Sequence, residues 1–324
     1  MNTFANPLKI AVTGATGFVG SNIATVLRQF GHEVVGLGRS ANNTTPWVTA
    51  VVDFASTESL ERALEGFDAV VHCAIANDFN RLLQDREFAF DSYVGMTSRV
   101  ARAAHTAGAQ MIYISTDWIL DGSTHLTPET DNGNPLNFYG FLKAMGEQVV
   151  RDLHPLDGAV CRIAGVMGRH QLGEAGPRNQ DVGFGYFVYS LVKALQSGET
   201  FTVWNGPNVN QITSPSLAAE IGAQIERVAS LRAGGTFHLV GDEAIGRFEL
   251  AQLVCEIFEL DAGLLRQDLP PESELFGAPV PVDSSLANMA TKERLHLGPT
   301  PLRALLEAFK SELETGQARS LTQP

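Results

Sequence analysis

The chain has 324 residues and a formal net charge of −13, long enough for one large or two modest domains with a real core. The acidic balance argues against nucleic-acid partners and anionic membrane surfaces. Cys73, Cys161 and Cys255 stand far apart in apolar contexts, which indicates neither a disulfide framework nor a zinc ribbon.

The opening stretch, residues 9–20, sets the organisation. An apolar run at 10–12 reads as a buried strand, breaks at a glycine-rich turn and enters a helix with Phe18, Ile23, Val26 and Leu27 on one stripe. Gly14 permits the tight turn, Gly17 lets a pyrophosphate approach the backbone and Gly20 allows close helix packing. The helix N-terminus favours an anion. Gly14, Thr16, Gly17, Phe18, Val19 and Gly20 are therefore expected to hold a dinucleotide, although the glycine spacing is one residue wider than G-x-G-x-x-G.

A second strand at 34–37 ends at Gly38-Arg39-Ser40. An acidic residue there would suit the ribose of NAD; Arg39 and Ser40 suit a 2′-phosphate instead, so NADP is expected. A third strand (50–54) ends in Asp53 and Phe54, placed to flank an adenine or to cap the next turn. A helix at 57–65 and a fourth strand at 68–74 follow. Cys73, Ala74 and Ala76 close that strand beside the cofactor, with Asn77 next in line toward substrate, and His72 reads as a structural histidine. A long helix at 81–107 leads to a fifth strand at 110–114. This alternation means an α/β, Rossmann-type doubly wound parallel sheet.

Ser115-Thr116-Asp117-Trp118 lies at the C-terminal edge of the fifth strand, where open α/β sheets bind ligands. Pro135 and Asn137 open a helix that carries Tyr139 and Lys143, four apart on one face. An ammonium about 4 Å from the phenol at an effective dielectric near 20 contributes ~4 kcal/mol, roughly three pKa units downward. Thr116 could then hold a carbonyl oxygen while Tyr139 hands over a proton. After a sixth strand at 159–163 the alternation lapses. Arg169, His170, Arg178 and Asn179, in or beside a loop at 173–183, are candidates for a polar substrate, as is Trp118. Helices at 184–196, 217–229, 249–258 and 301–313 and strands at 201–204 and 235–240 complete the reading, with a frayed polar tail at 314–324. No metal-binding spacing is found. Without a long apolar run or a leader pattern, the expected location is the cytoplasm.

Residues 13–20, Ser115-Thr116-Asp117 and Tyr139-x-x-x-Lys143 together resemble the extended short-chain dehydrogenase/reductase superfamily. Residues 113–122 and 135–140, Cys161-Arg162 with Gly168, 236–239 with Gly241, and 283–286 make the chain most similar to the dTDP-4-dehydrorhamnose reductase group. The resemblance implies NADPH reducing a 4-keto group on a nucleotide-linked sugar. Thr116, Tyr139 and Lys143 would form the catalytic triad, with Tyr139 and Lys143 also meeting the cofactor. Residues 1–165, completed near 214–240, would bind NADP, and a smaller mixed α/β region, 166–213 with 241–324, would bind substrate. Departures at Ser92, Trp118, Leu142, Ile212 and Ser216 bear on the sugar and the periphery of the proton relay. An epimerase or dehydratase of the same superfamily and a non-catalytic NADP-binding regulatory subunit remain as alternatives; a homodimer is possible within the resemblance.

Overall fold

The computed structural model describes residues 7–76, 79–173, 179–275 and 277–323. Its centre is a parallel sheet built from β1 (Lys9–Thr13), β2 (Glu33–Gly38), β3 (Val48–Val51), β4 (Ala69–His72), β5 (Gln110–Thr116), β6 (Ala159–Ile163) and β7 (Gly235–His238). The strand order is β7-β6-β5-β4-β1-β2-β3, and every pairing is parallel. The chain first winds outward from β1 through β2 and β3, then returns to place β4 on the other side of β1. That reversal opens a crevice at the C-terminal ends of β1 and β4, the place where such sheets bind ligands.

Successive strand residues point to opposite faces, so each face gathers its own core. On one face Ile10 and Val12 pack with Ile23 and Leu27 of α1 (Phe18–Gln29) and Ile221 and Ile225 of α6 (Ala218–Ser230). On the other, Ala11, Val70 and Met111 meet Leu60 and Leu64 of α2 (Thr57–Leu64) and Val100 and Ala104 of α3 (Met96–Ala107). A separate core joins Leu191 of α5 (Phe187–Gln196), Val254 of α7 (Arg247–Phe258) and Leu305 and Phe309 of α8 (Leu302–Thr315). Short two-stranded pieces, such as Phe201–Trp204 beside Leu265–Asp268, furnish the rest of this mixed α/β region. No described helix is long and apolar enough to cross a membrane.

The structure departs from the sequence expectations in three places. The single helix over 81–107 is broken into Phe79–Gln84, Arg86–Phe90 and α3, because Asp85 caps a fresh start by accepting the Phe88 amide at 2.9 Å and a wide turn follows at Asp91–Gly95. The third strand ends at Val51 rather than at 54, since Asp53 Oδ1 accepts the Ala55 amide at 2.9 Å and Ser56 caps α2. The tail is not frayed. Glu220, buried on α6, accepts the amides of Leu321 and Thr322 and the Thr322 hydroxyl, and Ala318 joins the core around Phe309.

Candidate active site

The turn after β1 is shaped by what its glycines exclude. Gly14 has φ +68°, and a Cβ there would come within 2.9 Å of the Ala74 backbone, so β1 and β4 close on each other at this point. A Cβ on Gly20 would lie 2.2 Å from the Gly14 carbonyl oxygen. This glycine lets α1 fold back onto its own turn, a tighter approach than packing on the strand. Gly17 differs: a Cβ would meet only the Gly14 oxygen, at 3.3 Å, and the residue is exposed. It opens α1 without a side-chain cap, leaving first-turn amides and the positive helix end for a ligand. Thr16 is exposed on this turn, Val19 packs into the core, and Phe18 meets the Tyr186 ring at 5.6 Å.

Beside the turn lies a cleft of about 240 Å³ lined by Thr16, Gly38, Arg39, Ser40, Asn42 and Thr49 among others. Arg39 and Ser40 are exposed. A clear approach over Gly17, a positive helix end and an adjoining cation and hydroxyl fit a dinucleotide carrying a 2′-phosphate. Asp53 and Phe54 do not line this cleft: the carboxylate caps its own turn, and Phe54 packs beside the α2–α3 core while its carbonyl accepts Arg99 Nε at 2.7 Å. Across the turn, the Ala74 amide donates to Thr13 Oγ1 at 3.1 Å, and the Ala76 carbonyl accepts the Tyr93 hydroxyl at 3.1 Å. Burial pushes the Cys73 thiol up to about 12, so it is neutral. His72 is hydrogen-bonded between Thr13 and Thr97, and burial lowers it to about 3. It is a neutral structural histidine. Asn77 lies outside the described residues.

β5 runs on through Ser115 to Thr116, which caps a short turn by accepting the Trp118 amide at 3.3 Å. Helix α4 (Phe138–Leu153) begins at Asn137, whose Oδ1 accepts the Gly140 amide at 2.9 Å while its Nδ2 donates to the Pro279 carbonyl at 3.0 Å. A Cβ at Gly140 would stand 2.1 Å from the Trp118 carbonyl oxygen. The bare glycine thus lets α4 press against the end of β5, and this brings the Tyr139 phenol into hydrogen bonding with the Thr116 hydroxyl. Tyr139 sits edge-on to Tyr93 at 5.9 Å and to Trp118 at 6.0 Å.

The ammonium is placed otherwise than expected. Lys143 Nζ reaches inward, donates to the Ile114 carbonyl at 2.5 Å and lies 4.3 Å from the Tyr113 ring centre. Burial lowers it to about 8, against the pull of Glu147. Burial pushes Tyr139 up to about 12, with the Thr116 hydrogen bond opposing. The downward shift expected from a lysine 4 Å away is not what this arrangement produces: burial dominates at Tyr139, and the ammonium bonds the Ile114 carbonyl.

Trp118 is half-buried between Tyr139 and an apolar cluster of Val182, Trp204, Val209 and Val280. The Arg169 guanidinium donates to the Gly316 carbonyl at 2.9 Å and its amide to Glu312, tying this loop to the end of α8. His170 is buried and accepts the Leu172 amide. Asn179 is exposed on the loop, and Arg178 lies outside the described residues.

The sequence model of the RmlD substrate binding domain matches residues 8–315. The chain belongs to that family. It is 29% identical over 261 residues to the probable low-salt glycan biosynthesis reductase Agl14 of Haloferax volcanii, covering 80% of this chain and 83% of that protein. It is 27% identical to a dTDP-4-keto-6-deoxy-D-glucose reductase of Streptomyces niveus (92% and 95% covered), and 26% identical to the methionine adenosyltransferase 2 subunit beta of Rattus norvegicus (91% and 85%). The crystal structure of a dTDP-4-dehydrorhamnose reductase from Bacillus anthracis, in complex with NADP, has a TM-score of 0.76 at 21% identity, covering 94% of this chain and 99% of that one, and so shares its fold.

This RmlD-family site rests on charged residues that the sequence reading left without roles. Glu147, one turn beyond Lys143 and fully buried, accepts Ser115 Oγ at 2.6 Å, Arg162 at 3.0 and 2.9 Å and Arg151 at 2.8 Å. Its signal was the third member of an i, i+4 series together with a lone arginine inside the apolar strand β6. Arg247, also fully buried, donates to the carbonyls of Asn210, Val182 and Gly183 and lies over the Phe184 and Phe187 rings. It pins the loop before α5, and only tertiary contacts reveal it.

Proposed function

We propose that the chain is an NADPH-dependent reductase of a carbonyl group on a nucleotide-linked or related sugar. It is an oxidoreductase of the extended short-chain dehydrogenase/reductase type. The observation that carries this reading is the buried Thr116 hydroxyl set against the half-buried Tyr139 phenol at the C-terminal edge of β5, the same edge of the sheet as the glycine turn. Residues 1–165, completed by segments near 214–240, form the NADP-binding part in this reading; 166–213 and 241–324 receive the substrate. Bound NADPH would supply the hydride. Thr116 holds the carbonyl oxygen and Tyr139 gives its proton to the developing alkoxide. A phenol raised to about 12 keeps that proton at neutral pH, the state an acid in a reduction requires. Lys143 spends one N–H on the Ile114 carbonyl and has two more for hydroxyls of the nicotinamide ribose. Gly14, Thr16 and Gly17 with the amides of Phe18 to Gly20 cradle the pyrophosphate, and Arg39 and Ser40 take the 2′-phosphate.

The test is NADPH oxidation by the purified protein against a panel of 4-keto deoxysugar nucleotides. Tyr139→Phe should lower kcat by roughly two to four powers of ten and leave the NADPH Kd unchanged. The likeness to a methionine adenosyltransferase subunit favours a second reading, a cofactor-binding regulatory chain. NADPH binding without consumption, together with a stoichiometric partner in a pull-down, would decide for it.

A further inference from the structure

Asp117 follows Thr116 directly and is 7% exposed. Its Oδ1 accepts the Thr116 hydroxyl at 3.1 Å, and its Oδ2 lies 2.5 Å from Ser284 Oγ. Ser284, fully buried, also stands 3.2 Å from Asn210 Oδ1 and 3.5 Å from the Ile212 carbonyl oxygen. A serine hydroxyl carries one proton, and all three of these neighbours are oxygens. If Asp117 is ionised it takes that proton, and Asn210 Oδ1 is left facing a lone pair in the interior, an unfavourable mismatch. If Asp117 is protonated, the two shorter contacts each have a donor. Asp117 gives to Ser284, Ser284 gives to Asn210, Thr116 gives to Asp117 Oδ1, and Thr116 stays hydrogen-bonded to Tyr139.

Burial acts in the same direction, raising the Asp117 carboxyl to about 6 against the hydrogen bonds from Ser284 and Thr116. The groups facing this corner come from four elements. Asp181, on the loop before α5, adds negative potential that favours the proton. Tyr139 on α4 is a neutral phenol. Arg247 on α7 donates to the Asn210 carbonyl, and Asp283, beside Ser284, pairs with His125 at 2.8 Å.

Resting on the reductase reading, we infer that Asp117 is the proton store of the site, a buried acid that in its protonated form re-protonates Tyr139 through the Thr116 hydroxyl. In each reduction the Tyr139 O–H bond breaks as the product O–H bond forms. The phenolate then takes the Thr116 proton. A turn of the Asp117 carboxyl presents its O–H to Thr116, which is re-protonated in turn, and the carboxylate left behind accepts from Ser284. Solvent returns one proton to Asp117 before the next cycle, so one proton and one hydride are consumed per carbonyl. Asp117 acts through Thr116 and does not itself touch the reacting atoms. The direct link to Ser284 places this store at the seam between the sheet and the C-terminal region.

Asp117→Asn tests the inference with little disturbance, since its carbonyl can accept from Thr116 and its amide can donate to Ser284. The amide has no proton to transfer. In the wild type, an infrared difference spectrum against Asp117→Asn should show the C=O stretch of a protonated carboxyl that disappears as pH rises. The same variant should lose roughly ten- to hundredfold in kcat with the NADPH Kd unchanged. The acid form is the working form, so wild-type kcat should fall as pH rises through the Asp117 titration. That limb should be absent in Asp117→Asn and displaced to higher pH in Ser284→Ala, where the carboxylate loses a donor; a merely structural role would not move it. Wild-type kcat and pH profile in Asp117→Asn would overturn the inference, as would turnover without a carboxyl band. A wild type that shows the band but reduces no member of the panel would remove the reductase reading and the relay with it.

Discussion

Glu147 and Arg162 form an ion pair with neither side chain exposed, and this pair joins the helix of Tyr139 and Lys143 to the central sheet. Glu147→Gln is the perturbation that measures it. Both carboxylate oxygens only accept, from Ser115, Arg151 and two nitrogens of Arg162. An amide puts an N–H₂ group against donors on one side and leaves the Arg162 guanidinium without a counter-charge. Breaking one member of such a pair costs about 3–5 kcal/mol, or roughly two to four powers of ten in the folding equilibrium. Urea unfolding followed by circular dichroism reads the difference. Adding Arg162→Met removes the stranded charge, so the double variant should be more stable than Glu147→Gln alone. The pH dependence gives a second check. Burial pushes Glu147 up, but the hydrogen bonds and charges of Arg162, Ser115 and Arg151 outweigh it and hold the carboxyl below its ordinary value. Its stabilisation is therefore present above the unfolded-state pKa and lost as pH falls through the folded one, and Glu147→Gln should lack this part of the acid sensitivity. A loss below about 1 kcal/mol for Glu147→Gln, or a double variant that loses the sum of the two singles, would refute the reasoning.

Arg39→Ala should reduce the preference for NADPH over NADH by roughly ten- to a hundredfold, the worth of a charge-assisted hydrogen bond, in a side-by-side Kd measurement, with folding stability unchanged because Arg39 is exposed. Gly140→Ala places a methyl against the Trp118 carbonyl. It should separate Tyr139 from Thr116 and lower kcat about a hundredfold, with a smaller effect on NADPH binding. Deleting residues 318–324 strips Glu220 of the amides and hydroxyl it accepts. The midpoint of thermal unfolding should fall, by an amount equivalent to at least about 2 kcal/mol; an unchanged midpoint would mean that the tail contributes nothing.

Local chemistry alone made much of this protein legible. The strand–glycine–helix opening is read from its own residues, since Gly20 is required by a backbone approach a few positions away, although the Gly14 contact is with the distant Ala74 backbone; the alternation of apolar runs suffices for a doubly wound parallel sheet. Asn137 as a helix cap and Tyr139 with Lys143 on one face likewise follow from spacing within a turn or two. Tertiary structure decided what depends on distant partners. Asp53 and Phe54 could serve a nucleotide or a turn, and the structure adds the turn contacts with Ala55 and Arg99 that spacing does not give. The contact of Arg169 with the Gly316 carbonyl, just past α8, is likewise visible only in the structure. The polar tail reads as frayed until Glu220, about a hundred residues earlier in the chain, is found buried beneath it. The electrostatics of the site were the least legible part, for a physical reason. Side-chain spacing fixes which face a residue occupies, but a pKa depends on burial and on which atom the group finally bonds. For Lys143 that atom is the Ile114 carbonyl on the neighbouring strand, and for Asp117 it is a serine in a segment 167 residues away.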